Sequence, residues 1–445
     1  MGHENRGAPL SAAKDGSPPH AKPVPSDGTR QDDENSLYLA VEGGPGKSSL
    51  SHAAGDAGDS RAPDVSLTTN TPNVITSSFA AATWLLKFLR ELCWSHSQQH
   101  TLDNCPRARF WSSEIAPLGN SRGAPEIARK AFRLKTLTTL EMQLGIVLHR
   151  CAAEIALAIR NREPMPHLRI LRARVSAHMN YVWSSMRDRY DDWLKAPKKV
   201  PMLIERYYGR GPSRDRAKVL KERLERAVTA LRGLALWGEV AACDPADVLT
   251  VDSLESYELS DPAGGAPVKV WAAPDLVIRT GPDEPWEVID FKTGRSSSKK
   301  DFDTAVQQVH TYAVFLRHGA RVIGPEDWCK GRLIYLGDGT EFEFFITASE
   351  IDAAEARIRD SAKAMANLRE SADALESVAA SEAHFQGLDA GRTREKLLEA
   401  RKSAYPMTPD RTRCAGCQFL ELCRPDQAAE VAGLGDGTAG EERAG

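Results

Sequence analysis

A five-residue turn constrains this chain more than any other feature. Gly281-Pro282-Asp283-Glu284-Pro285 separates two short runs of β-branched and aromatic character, LVIRT (276–280) and WEVIDF (286–291). Glycine and proline punctuate the backbone, and two such runs around a turn cluster read as a hairpin. Closing that hairpin sets Asp275 opposite residue 290 or 291, beside Asp290, although the two aspartates lie 15 positions apart. Side chains alternate along a strand, so Asp290 and Lys292 share one face. Two carboxylates and an ammonium then converge at a strand end. Carboxylate oxygens are the ligands that Mg2+ and Mn2+ prefer. Such a cation lowers the pKa of water and offsets charge on a phosphoryl oxygen. A lysine beside it holds the attacking water or stabilises the charge on pentavalent phosphorus. This is the equipment of metal-assisted phosphodiester hydrolysis. Taken alone, the IDFK stretch fits an ordinary surface hairpin with an ion pair better.

The pattern around the hairpin sets its context. Strand-like composition begins near residue 249, continues through VKVWAAPDLVIRT and WEVIDFKTG, and returns in RLIYLGDGTEFEFFIT, a second hairpin signal around Gly337-Asp338-Gly339. Between these, residues 301–319 have helical periodicity. Upstream, residues 79–94 and 134–163 read as helices, the second broken at Gly145 and ended by Asn161 and Pro164. Residues 167–240 read as mostly helical. Helices first, then a strand–strand–helix–strand core, argue for an α/β fold with a large helical insertion. The expected organisation is a disordered tail over 1–75, a helical region over 76–248, a core over 249–370, a helix and cysteine segment over 371–425, and a disordered acidic tail over 426–445.

Charge matters only by its distribution. The total is 58 Lys+Arg against 61 Asp+Glu, a formal net charge of -3. Residues 121–240 hold 25 basic and 12 acidic side chains, net +13, with Trp183, Tyr190, Trp193, Tyr207 and Tyr208 interleaved. Such a segment suits a phosphate backbone, through counterion release, and stacking on unpaired bases; a solvated helical face accounts for the charge as well. Gly43 to Ser49 imitate a phosphate loop, but its first glycine falls on Val41, so the spacing fails. No apolar run of membrane length and no secretory h-region stand out, and the expectation is a cytoplasmic protein with no membrane association.

Eight cysteines are too few for a disulfide scaffold. Cys414, Cys417 and Cys423 lie close together, and a metal centre of that kind needs a fourth ligand. Four cysteines suit an iron–sulfur cluster or zinc, and the spacing alone does not choose.

These residues together resemble the PD-(D/E)XK nuclease superfamily, and its RecB-like, AddB-type branch in particular. Pro274-Asp275 and Asp290-Phe291-Lys292-Thr293-Gly294 look like the core motif. A G-x-x-x-H pattern matches Gly145 to His149, Q-x-x-x-Y matches Gln308 to Tyr312, and one upstream cysteine with C-x2-C-x5-C matches Cys105, Cys414, Cys417 and Cys423. The resemblance covers residues 105 to 425. One departure is Trp271-Ala272-Ala273 before Pro274, where many members carry a glycine.

The resemblance implies a restriction-endonuclease-like core, a small mixed sheet flanked by helices. It implies that His149, Asp275, Asp290 and the Phe291 carbonyl bind Mg2+ or Mn2+, and that Lys292 is catalytic. Gln308 and Tyr312, on one helical face, would bind the scissile strand or orient Lys292. A [4Fe-4S] cluster would use Cys105, Cys414, Cys417 and Cys423, with Cys93 as the competing fourth ligand. The implied activity is DNA hydrolysis at single strands or duplex ends, in repair, recombination or defence, with any helicase on a separate polypeptide. The alternatives are a nucleic-acid-binding module without catalysis and a zinc-stabilised nuclease.

Overall fold

The computed structural model describes residues 92–439, apart from 210, 212–213, 261–264 and 296–297. The expected N-terminal tail and nearly all of the helix expected over 79–94 lie outside the described residues. Its last positions are not helical: Cys93–Ser95 form strand β1, which pairs in parallel with β4 (Val268–Ala272), itself antiparallel to β3 (Glu255–Leu259). Trp94 is fully buried there, so the apolar content of this stretch serves a sheet.

The second sheet has the order β2-β5-β6-β7-β8. It comprises β2 (Val248–Val251), β5 (Leu276–Ile278), β6 (Glu287–Lys292), β7 (Cys329–Tyr335) and β8 (Thr340–Ile346). The strands β5 and β6 form the expected hairpin, with Leu276 opposite Ile289 and Ile278 opposite Glu287. The parallel pair β6–β7 needs a crossover, and the helix over Lys299–His318 supplies it. β8 returns antiparallel beside β7.

The main helices are α1 (His96–Asn104), α2 (Glu126–Lys135), α3 (Leu140–Arg160), α4 (Leu168–Asp188), α5 (Arg214–Gly233), α6 (the crossover), α7 (Ala348–Phe385), α8 (Ala390–Ser403) and α9 (Pro425–Ala439). The single helix expected over 134–163 is two. α2 ends at Lys135, and α3 begins afresh at Leu140, because the Thr139 hydroxyl accepts the Met142 amide and caps it. Gly145 does not break α3. The stretch assigned to an acidic tail is helical as far as Ala439, started by Pro425 with Asp426 in the first turn.

α3 and α6 sandwich the five-stranded sheet. Leu144, Val147, Leu148 and Cys151 of α3 pack with Leu276, Ile289, Phe291 and Ile334. Val309, Tyr312, Ala313 and Leu316 of α6 pack with Val277, Val288, Leu333 and Tyr335. Strand alternation thus sends Ile289 and Phe291 to one helix, and Val288, Asp290 and Lys292 towards the other. By length and composition α3 is apolar enough to cross a membrane, which the sequence reading passed over; 56% of its most apolar window is buried within the fold.

Two further features hold the insertion in place. Arg332 on β7 donates to Glu287 (2.6 Å) and to both oxygens of Glu239 (3.0 and 2.8 Å), joining the sheet to the helix over Leu236–Ala242. A third apolar cluster gathers Phe110, Trp111, Trp193, Tyr208, Tyr405 and Phe419. Trp193 and Tyr208 are therefore core residues, not surface rings for bases. Tyr190 remains exposed at 43%.

Candidate functional site

The carboxylates meet where the hairpin arithmetic places them. Extending the β5–β6 register by one position sets Asp275 opposite Asp290. Asp275 stands just before β5 and is held from two sides: its Oδ2 accepts the Phe291 amide at 2.7 Å, and its Oδ1 lies 2.9 Å from His149 Nδ1. His149 projects from α3, so the helix packed on one sheet face delivers an imidazole to the strand end. Gly145, one turn earlier, lies against the motif itself: a Cβ there would sit 3.7 Å from Thr293 Oγ1, in ordinary contact.

Asp290 is 1% exposed. Its Oδ2 lies 2.6 Å from Lys292 Nζ, yet makes no properly directed hydrogen bond. Burial pushes its carboxyl up to about 6, with the Lys292 ammonium opposing that rise and the Asp275 charge adding to it. Lys292 Nζ also donates to Gln308 Oε1 at 2.8 Å, and Gln308 Nε2 donates to the Tyr312 hydroxyl at 2.6 Å. Burial, then the charges of Asp290 and Asp275, raise the Tyr312 phenol far above its ordinary value, so it stays protonated. For His149, burial lowers the pKa, but the hydrogen bond and charge of Asp275 outweigh it and the net direction is upward. His149, Asp275, Asp290, Lys292, Gln308 and Tyr312 thus form one connected polar chain.

The donor set suits a hard divalent cation: two carboxylates, one with an unsatisfied buried oxygen, beside an imidazole. Among the described residues, no group of three or more His, Cys, Asp and Glu side chains is arranged to hold a metal ion as it stands. The Phe291 amide is committed to Asp275, and its carbonyl was the expected fourth donor.

The cysteines also converge. Cys105 lies between α1 and a short helix, Pro106–Arg109, while Cys414, Cys417 and Cys423 lie in two short helical turns and the loop between them. Arg107 ties the two segments, donating from Nε to the Tyr405 carbonyl (2.7 Å) and from its amide to the Pro406 carbonyl (3.1 Å). Burial pushes the Cys417 thiol up to about 12, and the neighbouring Cys423, Cys105 and Cys414 add to the rise. The Trp111 indole donates to Cys423 Sγ at 3.2 Å and the Phe419 amide to Cys417 Sγ at 3.4 Å. All eight cysteines are free; Cys151, Cys243 and Cys329 are buried away from these four.

Two neighbours of the site escaped the sequence reading. Asp252 follows β2 with φ +45, a left-handed backbone that a non-glycine residue seldom adopts. Its amide donates to the Asp275 carbonyl at 2.9 Å, and its carboxyl is raised by burial and by the Asp275 charge. An acidic residue at the end of the strand beside Asp275 was the available signal. His96, at the start of α1, lies within electrostatic reach of Lys292; nothing in its local sequence pointed there.

Comparison with curated proteins finds none that matches the chain. The family model of the PD-(D/E)XK nuclease superfamily matches residues 93–424, a span that holds the polar chain and all four converging cysteines. The chain belongs to the PD-(D/E)XK nuclease superfamily, whose members are metal-dependent nucleases that hydrolyse phosphodiester bonds.

Proposed function

We propose that Asp275, Asp290 and Lys292 form the active centre of a DNA nuclease of the RecB-like, AddB-type branch, acting on single strands or duplex ends. The observation that carries this reading is the convergence of two carboxylates and an ammonium at the end of the β5–β6 pair. His149, Asp275, Asp290 and the Phe291 carbonyl would hold Mg2+ or Mn2+. That ion would supply Lewis-acid polarisation of the phosphoryl oxygen and a lower pKa for water at the site.

The remaining steps belong to the chain's own groups. Asp290 and Gln308 hold the Lys292 ammonium between them, so it presents a fixed donor to the phosphoryl oxygen as charge develops. Water adds to phosphorus, the P–O bond to the leaving strand breaks, and the leaving oxygen takes up a proton. Gln308 and Tyr312 position Lys292, and His149 orients Asp275. The basic helical segment 121–240 would carry the strand, with Tyr190 as one exposed ring. Any motor would come from a separate helicase subunit, in repair, recombination or defence. The test is Mg2+- or Mn2+-dependent cleavage of single-stranded DNA. Asp290→Ala and Lys292→Ala should each lower the rate by about a hundredfold or more; undiminished cleavage by both removes the assignment.

We further propose that Cys105, Cys414, Cys417 and Cys423 hold a [4Fe-4S] cluster. The electrostatic influence of Cys105, Cys414 and Cys423 on Cys417, with two N–H groups directed at sulfur, supports such ligation once the four thiols close on an ion. The cluster would tie segments some 300 residues apart and so remove chain entropy. Anaerobically purified protein should be brown, and Cys417→Ser should lose that colour. A colourless protein stoichiometric in zinc would replace this reading by a zinc centre.

A further inference from the structure

Two donors near the site, Arg357 and His96, take no part in the polar chain that holds Lys292. Arg357, on α7, is half-buried and has no carboxylate partner among the described residues; its hydrogen bond runs to the Gln307 carbonyl at 3.3 Å. Gln307 adjoins Gln308, which holds Lys292. From the other side comes His96, at the first position of α1, a helix capped by Ser95 and started directly off strand β1. The His96 imidazole is half-buried and makes no hydrogen bond or ion pair among the described residues. Its charged neighbours are Lys292, His100 and Arg357. An open cavity of about 440 Å3 runs between α1 and α7, lined by Gln99, Arg357 and Ser361 together with Asp103 and Asp360. Neither aspartate pairs with Arg357.

Burying a guanidinium without a counter-ion costs free energy. A half-buried guanidinium with no carboxylate partner, lining an open cavity and acting on the same imidazole as Lys292, is placed to receive an anion. Arginine presents a planar fork of donors that matches phosphate, and a neutral imidazole adds one more. Burial, then the positive charges of Lys292, His100 and Arg357, hold His96 down at about 4, so it is neutral near pH 7.

We propose that His96 and Arg357 form a second phosphate-binding subsite that takes the backbone phosphate next to the scissile one on a nucleic-acid strand. The proposal rests on the assignment of the neighbouring site to phosphodiester hydrolysis. It accounts for two donors that the catalytic chain leaves unused, and it sets the path of the strand from Lys292 towards the α1–α7 cavity.

The experiment measures binding, not turnover. A short fluorescein-labelled single-stranded oligonucleotide is titrated with the full chain in EDTA, over a range of salt concentrations, by fluorescence anisotropy. Arg357→Gln should weaken binding about tenfold and reduce the slope of log K against log salt by about 0.7, the value for one lost phosphate contact on a single strand. His96→Ala should weaken binding about threefold and leave the slope nearly unchanged, since it removes a neutral donor. Circular dichroism checks folding, and if Arg357→Gln unfolds, His96→Ala still decides. Unchanged affinity in the folded variants overturns the subsite, whether or not the chain cleaves DNA. Binding that weakens as described in a chain that fails to cleave with Mg2+ or Mn2+ overturns the hydrolytic assignment and leaves the phosphate contact standing.

Discussion

Asp290 stores a measurable conflict between stability and chemistry. Its carboxyl is 1% exposed and is raised from an ordinary 3.8 to about 6, chiefly by burial, even with the Lys292 ammonium 2.6 Å away. A carboxyl raised that far costs the ion-free folded state about 3 kcal/mol once it ionises. The sign follows from proton binding. Between pH 4 and 6 the folded state binds more protons at this position than the unfolded chain does, so stability falls as pH rises through that window and then levels. Asp290→Asn keeps the shape and removes the charge. The variant should match the wild type near pH 4 and exceed it by about 3 kcal/mol above pH 6. With roughly 350 residues unfolding together, that is a rise of about 4 °C in Tm. The assay is thermal unfolding of the EDTA-treated protein at several pH values, followed by circular dichroism. Mg2+ or Mn2+ should then close most of that gap. The ion binds the charged form and stabilises the wild type by about 2.7 kcal/mol at a hundred times its Kd, while the variant gains far less. A variant no more stable than the wild type above pH 6, or a difference that does not change with pH, refutes the reasoning.

Other perturbations test the scaffold. Arg332→Met leaves Glu287, 5% exposed, without its counter-charge and should cost about 3–5 kcal/mol in urea unfolding; adding Glu287→Gln should recover a large part of that loss. Gly145→Ala should raise stability by about 0.5–1 kcal/mol, since it lies inside α3 and its Cβ meets Thr293 at an ordinary 3.7 Å. Gly337→Ala should cost about 1–3 kcal/mol, because its Cβ would enter the van der Waals shell of the Gly294 carbonyl oxygen, and the same displacement should slow DNA cleavage by shifting the loop after Lys292.

What could be read in advance was whatever two local rules determine. The turn at 281–285 and the alternation of side chains along a strand suffice to bring Asp275 opposite Asp290, because an antiparallel pair joined by a short turn has little freedom of register. Gln308 and Tyr312 were singled out by the Q-x-x-x-Y resemblance, and helical spacing adds only that they share one face. The rings of Trp193 and Tyr208 were misread because periodicity tells that a helix has an apolar side, not what covers it; here Thr136, just past α2, meets the Trp193 indole, and the distant cysteine segment meets the Tyr208 hydroxyl. Arg332, Glu287 and Glu239 carried no local signal at all, since each looks like a solvated charge until β7, β6 and the inserted helix are brought together. His96 is the same case nearer the site, whereas Asp252, an acidic residue at the end of the strand beside Asp275, carried a signal that was not used. Each is set by where a helix or strand happens to end, at a position that only the assembled sheets define. A short-range motif can therefore bring the carboxylates and the lysine of such a fold together while leaving unread the groups around them, because those groups come from elements whose meeting depends on the whole core.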